Sequence, residues 1–403
     1  MEHAVAGSLA ESAHPQTFTR AFEMNPEVRP LADAQVKPGL EGVIAAETSI
    51  SFLDVDAEEI VIRGYDLIEL AEKVRYVDVA ALLLDGRLPD AQRRRELEKQ
   101  LREEAALPDA VLALLRLKAP YAVAMDMLRT AISFLASFDP ELDDRSPEAN
   151  RRKALRLLAK IPSLIAGAYR LQRGDEPLAP DPSLGYSANF LYQLTGTRPS
   201  ALEERVFDQS LVVYSEHEMP NSTFAARVIA STQSDIYGAL TGAAASLKGT
   251  LHGGANEAVM HMLLEAKTAE GVERYIMDRL ARKERIMGFG HRVYMRKPDP
   301  RALLMKNALR ELAQEKPGGR ELLAMCERGE HVMHREKGLF PNLDYYAAPV
   351  YYLLGIPIEL YTPIFLAART AGIGAHVIEQ HANNRLYRPR VKYVGPRGLR
   401  VKE

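Results

Sequence analysis

The chain has 403 residues, 47% hydrophobic and 26% charged, with Lys+Arg 52 against Asp+Glu 54 and a formal net charge of −2. This composition supplies a sizeable core and excludes a fibrous or largely disordered chain, and the length suits two or three domains at about 150 residues each. Balanced charge excludes a nucleic-acid binder held by charge alone, and a single cysteine, Cys326, excludes an intrachain disulfide.

Residues 1–38 are polar and proline-dotted, without a period, which predicts an N-terminal arm. They lack the basic start and apolar core of a targeting segment. The longest apolar run, 347–358, is interrupted by Pro349, Gly355 and Pro357. It falls short of the roughly 20 residues that cross a bilayer. We therefore expect a cytoplasmic protein without a membrane partner. Short β-like pieces follow at Val43-Ile44 and Ile60-Val61-Ile62. From Leu67 through Leu70, Ala71, Val74 and Val77 the apolar residues recur at helical spacing. Helical periods then cover 93–104, 110–117, 122–138, 150–173, 203–216 and 223–240. Between them lie an acidic loop at 139–147 and a proline-rich one at 174–185, and Ser146-Pro147 suits the cap of the next helix. The small-residue stretch 238–246 fits either close packing within one subunit or a helix–helix subunit interface. The predicted fold is mainly α, with long helices and short connections.

Eight of the ten histidines fall between His217 and His381. Histidine is the side chain most easily tuned for proton transfer near neutral pH. His252 and His291 have glycine neighbours, in Leu251-His252-Gly253-Gly254-Ala255-Asn256 and Gly288-Phe289-Gly290-His291-Arg292. His252 immediately precedes the helical run 256–266, where a developing negative charge is favoured. Either histidine could equally be a solvated turn residue. Asp344 follows Pro341-Asn342-Leu343 and precedes an apolar, aromatic stretch. Partial desolvation there would raise its basicity, and it could also cap a helix at 345–354. Arg369 interrupts the apolar stretch 361–373, so either a carboxylate or a ligand must satisfy it. Arg301 and Arg388 are further basic candidates. No metal site is expected: HExxH is missing, and His331 and His334 sit in a charged helix. Phosphate-binding glycine loops and a GxSxG elbow are also missing.

These segments together resemble the citrate synthase family. The likeness is carried by Ser215-Glu216-His217-Glu218 with Asn221-Ser222-Thr223, by both histidine motifs, by Asp299-Pro300-Arg301 and Asn342-Leu343-Asp344, and by Arg369 with Arg388-Pro389-Arg390. Their order and approximate spacing fit the family, and Glu47-Thr48-Ser49-Ile50 and Arg63-Gly64-Tyr65 look like its N-terminal region. The resemblance implies a mostly helical homodimer with a large and a smaller helical domain and the active site in the cleft. Here that divides the chain into an arm at 1–38, a large domain at 39–253, a small domain at 254–355, and a return to the large domain with a C-terminal segment at 356–403. The resemblance also implies roles. Asp344 would be the base that takes an α-proton from acyl-CoA. His252 would donate to the thioester oxygen, and His291 would polarise the ketone of oxaloacetate. Arg301, Arg369 and Arg388, the last from the other subunit, would clamp the carboxylates, with His217 and Asn221 completing the pocket. Glu284, Arg285, Ile286, Met287 and Gly288 would meet the CoA adenine by their backbone. No cofactor is implied, the CoA thioester being a substrate. The stretches 214–232 and 342–365 look closest to bacterial 2-methylcitrate synthases. The expectation is therefore condensation of propionyl-CoA with oxaloacetate and use of acetyl-CoA as well. The alternatives are a citrate synthase using acetyl-CoA, and a non-catalytic CoA- or dicarboxylate-binding sensor.

Overall fold

The computed structural model describes residues 36–54, 57, 59–118, 123–290 and 297–401. Nearly all of the predicted arm, and His291, lie outside the described residues. The chain divides into two compact units, Glu47–Pro389 and the terminal pieces on either side of it. The terminal unit contributes one 3-10 turn, Pro38–Leu40, and an exposed tail in which the Tyr393 hydroxyl donates to the Pro396 carbonyl. Val43 and Ile44, expected to be β-like, are exposed and form no strand.

The main unit opens with a three-stranded antiparallel sheet, Ser51–Asp54, Glu59–Ile62 and Tyr65–Asp66, in that order. Ser51 pairs with Ile62, and the alternation buries Ile60 and Ile62 while Val61 faces out. The helical run from Leu67 is broken into Leu67–Lys73 and Tyr76–Asp85. Val74 is extended, and the Asp78 carboxylate accepts the Arg75 N–H to restart the helix. Ser146 caps Pro147–Gln172, with proline at the first position, as its sequence predicts. The run 223–240 is two helices, Asn221–Ala230 and Ile236–Leu247. Gln233 takes a left-handed backbone, and Asp235 accepts the Gly238 N–H. A short acidic side chain that satisfies a free backbone donor begins a new helix more readily than it continues an old one. Within the chain the small-residue stretch serves close packing: a Cβ at Gly242 would lie 2.1 Å from Ile229 Cδ1.

At the centre lies Tyr361–Ala382, every residue from Tyr361 to Val377 being buried. It packs on Pro147–Gln172, Asn221–Ala230, Ile236–Leu247, Tyr76–Asp85 and Ala201–Tyr214. The helices Ala255–Ala266, Ala269–Ala281, Pro300–Glu315, Gly319–Lys337 and Leu343–Leu353 pack mainly on one another. Cys326, in Gly319–Lys337, is fully buried, and burial pushes its thiol well up from its ordinary pKa. Among the described residues no helix is long and apolar enough to cross a membrane.

Candidate active site

The central helix carries a permanent charge in its buried part. Arg369 is 2% exposed, its Nε donates to the Tyr214 carbonyl at 2.6 Å, and its guanidinium lies 4.9 Å from the Phe365 ring centroid. Its Nη1 is buried without a hydrogen-bond partner among the described residues. Burial lowers its pKa to about 10, with Glu216 pulling the other way, so the group stays cationic at neutral pH. Burial alone would be costly, and a nearby opposite charge offsets it.

That charge is Glu216, itself fully buried. Its Oε1 accepts from Ser51 Oγ at 2.9 Å and faces His376 Nε2 at 3.1 Å. Arg227 Nη1 lies 2.9 Å from His376 Nδ1, and a guanidinium can only donate. The His376 proton therefore sits on Nε2, aimed at Glu216. Arg227 also donates to Glu379 Oε2 at 2.7 Å and to Gln380 Oε1 at 3.1 Å. Burial pushes the Glu216 carboxyl up, but His376, Arg369 and Ser51 outweigh it and hold the carboxyl below its ordinary range.

Asp344 stands at the start of Leu343–Leu353, where Asn342 rather than Asp344 is the cap. Asn342 Oδ1 accepts the Asp344 N–H at 3.1 Å, which leaves the Asp344 carboxylate free of capping. Asp344 Oδ1 instead accepts from the Tyr214 hydroxyl at 2.6 Å. Desolvation pushes this carboxyl above its ordinary range, against the pull of Tyr214, Arg301 and Arg369. The same helix start is tied to Arg301: Asp299 holds its guanidinium through both carboxylate oxygens, at 3.1 and 2.9 Å, and accepts the Leu343 N–H at 3.1 Å.

His252 lies in the turn before Ala255–Ala266, its N–H donating to the Gly249 carbonyl at 2.9 Å. Its Nε2 is met by the Ser222 backbone N–H at 3.2 Å and the Ser222 hydroxyl at 2.9 Å. A backbone N–H only donates, so Nε2 carries the lone pair and the ring proton sits on Nδ1. Burial, then the positive Arg369, depresses the His252 pKa to about 4, so the ring is neutral at neutral pH. Its ring meets Phe365 edge-on, with centroids 6.2 Å apart. Phe365 also packs on Tyr214, at 4.7 Å, and under Arg369. His252, Arg369 and the Tyr214–Asp344 pair thus surround one phenylalanine.

The loop before His291 joins the same group. Gly290 N–H donates to the Phe340 carbonyl at 3.0 Å, Asn342 N–H to Gly288 at 2.9 Å, and Asn342 Nδ2 to the Gly290 carbonyl at 3.1 Å. Gly288 has φ +87°, and a Cβ there would lie 2.6 Å from Val259 and 2.9 Å from Tyr345. Only glycine fits. In the segment 284–288, Glu284 and Arg285 are exposed, Met287 is half-buried, and Ile286 and Gly288 are buried. Glu284 pairs with Arg279 at 3.0 Å.

The remaining residues named from the sequence differ in exposure. His217 follows Glu216 and is half-buried. Asn221 is exposed, and its Oδ1 accepts from Ser246 at 2.5 Å. Arg388 is exposed, with no hydrogen-bond or ion-pair partner among the described residues. His331 and His334 are exposed, and no group of three or more metal-ligating side chains occurs among the described residues.

A family model described as citrate synthase, C-terminal domain, matches residues 39–390. The chain belongs to the citrate synthase family. It is 62% identical over 360 residues to the citrate/2-methylcitrate synthase of Bacillus subtilis (strain 168), covering 89% of this chain and 96% of that one. It is 58% identical to a citrate synthase of Heyndrickxia coagulans, covering 92% and 99%. Its structure matches, at TM-score 0.86 and 30% identity, the citrate synthase of Thermoplasma acidophilum in ternary complex with carboxymethyl coenzyme A and oxaloacetate, covering 92% and 98%.

Several members of this constellation were passed over in the sequence. Glu216 stands beside His217 and Ser222 beside Asn221, within motifs read for their neighbours alone, and Tyr214 immediately precedes the first of these motifs. An acidic residue next to a motif histidine was a usable signal for Glu216. Phe365 carries no signal: one aromatic residue in an apolar helix is indistinguishable from core.

Proposed function

We propose that the chain condenses propionyl-CoA with oxaloacetate and water to give 2-methylcitrate and CoA, and that it also takes acetyl-CoA to citrate. The observation that carries the reading is the convergence around Phe365 of a raised-pKa carboxylate, a neutral imidazole protonated on Nδ1, and a buried arginine. A thioester α-proton is weakly acidic, so base and oxygen donor must act on one fragment. Asp344 takes the proton, the C–H electron pair becomes the enol double bond, and His252 Nδ1–H meets the developing oxyanion. Such donors contribute roughly 2.7–4 kcal/mol each, and placed acid–base groups about 10²–10⁴-fold.

The enol carbon then attacks the ketone of oxaloacetate, which His291 polarises. Arg369 and Arg301 bind the carboxylates, with His217 and Asn221 at the edge of the pocket and Arg388 contributed by the second subunit of a homodimer. Water hydrolyses the resulting thioester and drives the sequence forward. CoA lies along the backbone of 284–288. Residues 254–355 form a small domain that closes on the large one, as exclusion of water from an enol intermediate requires. This chemistry calls for no metal or redox group, and the reading places the enzyme in the cytoplasm.

Support for the propionyl choice comes from the 62% identity to a relative named for both products. The acyl groups differ by one carbon, worth about 1–3 kcal/mol in a pocket, so both are used. A thiol-release assay with oxaloacetate decides: kcat/KM is expected to be higher for propionyl-CoA with measurable acetyl-CoA turnover. A higher value for acetyl-CoA makes citrate the principal product.

A further inference from the structure

We propose that Tyr214 is a positioning residue for the base: its hydroxyl pins one carboxylate oxygen of Asp344 and leaves the other to receive the α-proton. The proposal rests on the reading of Asp344 as base. Three features of Tyr214 carry it. First, the hydroxyl donates to Asp344 Oδ1 at 2.6 Å, within the range of a strong, charge-assisted hydrogen bond. Second, the residue is held from both ends. Its backbone carbonyl accepts from Arg369 at 2.6 Å, and its buried ring lies between Phe365, at 4.7 Å, and Tyr351, at 6.4 Å. Third, the phenol stays protonated: burial and the adjacent carboxylate push its pKa well above the ordinary value. It is a donor at every working pH.

A carboxylate turns about its Cβ–Cγ bond unless an oxygen is fixed. With Oδ1 held, Oδ2 keeps one direction, and a proton abstraction repeated in every turnover needs that constancy. The hydroxyl also favours the charged form of Asp344, which is the form that acts as base. It thereby counters the desolvation that would otherwise leave the base protonated.

Tyr214→Phe keeps the ring and removes the donor. With the charged form less favoured, the carboxyl pKa rises and the acid limb of kcat/KM moves to higher pH. One hydrogen bond to a charged group corresponds to about one pH unit. The expected result is a limb moved up by about that much, kcat down about tenfold or more, and oxaloacetate affinity by calorimetry unchanged. Site-specific Tyr214→3-fluorotyrosine, with a more acidic phenol, moves the limb to lower pH, a reversal that packing damage does not produce. If Tyr214→Phe does not fold, the fluorotyrosine shift alone decides. Limbs that do not move in either variant overturn the proposal. Asp344→Asn is assayed in parallel. Its loss of turnover beside unmoved limbs overturns only the role of Tyr214, whereas its retention of turnover overturns the reading of Asp344 and this proposal with it.

Discussion

The state of each acid–base group follows from what touches it. His252 is neutral because burial and Arg369 both penalise its charge, and its proton is placed by a backbone amide that can only donate. Asp344 is pushed the other way by the same loss of water, which makes a stronger base of it. Burial therefore shifts the proposed donor, His252, and the proposed base, Asp344, in useful senses by a common cause. Asp344→Asn preserves shape and hydrogen bonding to Tyr214 while removing basicity. Thiol release should fall about 10²–10⁴-fold, with oxaloacetate affinity, followed by calorimetry, left close to wild type. Near-normal turnover would remove Asp344 from the role of base. In the parent enzyme, activity should fall as pH drops through the Asp344 pKa, since only the ionised form acts. Protonation of His252, near pH 4, removes the neutral imidazole and adds to the loss on the acid side.

At the scale of elements, the strand Ser51–Asp54 and the helices Asn221–Ala230 and Tyr361–Ala382 meet at Glu216. The Glu379–Arg227–His376–Glu216 chain places a negative charge near the buried Arg369. Glu216→Gln removes that charge, while its amide oxygen can still accept from Ser51 and from His376 Nε2–H in the place of Oε1, so the variant tests the charge itself. Denaturant unfolding should show a loss of about 1–3 kcal/mol, and the KM for oxaloacetate should rise more than kcat falls. Equal stability of variant and parent would mean that the buried charges do not depend on one another. Sequence reading reached the long helices and the reactive motifs, because those depend on local period and on residue type. It missed the breaks at Val74 and Gln233, and of the two readings it kept for Asp344 the cap belongs to Asn342. Each was decided by which side chain captured a free backbone N–H, a competition that apolar periodicity does not register. Arg369 was legible as an anomaly, but its partner was not, since Tyr214 is 155 residues away.

For the whole molecule, the proposed dimer makes a demand that a single chain leaves open. Arg388 lies exposed, without a polar partner among the described residues, as expected for a residue that works in the neighbouring subunit's site. Arg388→Ala alone should raise the KM for oxaloacetate. Mixed with Asp344→Asn and allowed to exchange subunits, it should regain activity, because one site of the mixed dimer then has an intact base and an intact partner arginine. No recovery, with exchange confirmed by native mass spectrometry, would place Arg388 in its own chain's site or outside any site.

The seclusion of Cys326 bears on how such measurements are made. A sulfhydryl sealed in the interior offers almost no thiolate to a disulfide reagent. Colour developed from released coenzyme is then free of background from the folded catalyst. A cysteine engineered onto the exterior would be the sole reactive handle, ready for a fluorophore or spin label without first deleting a native one.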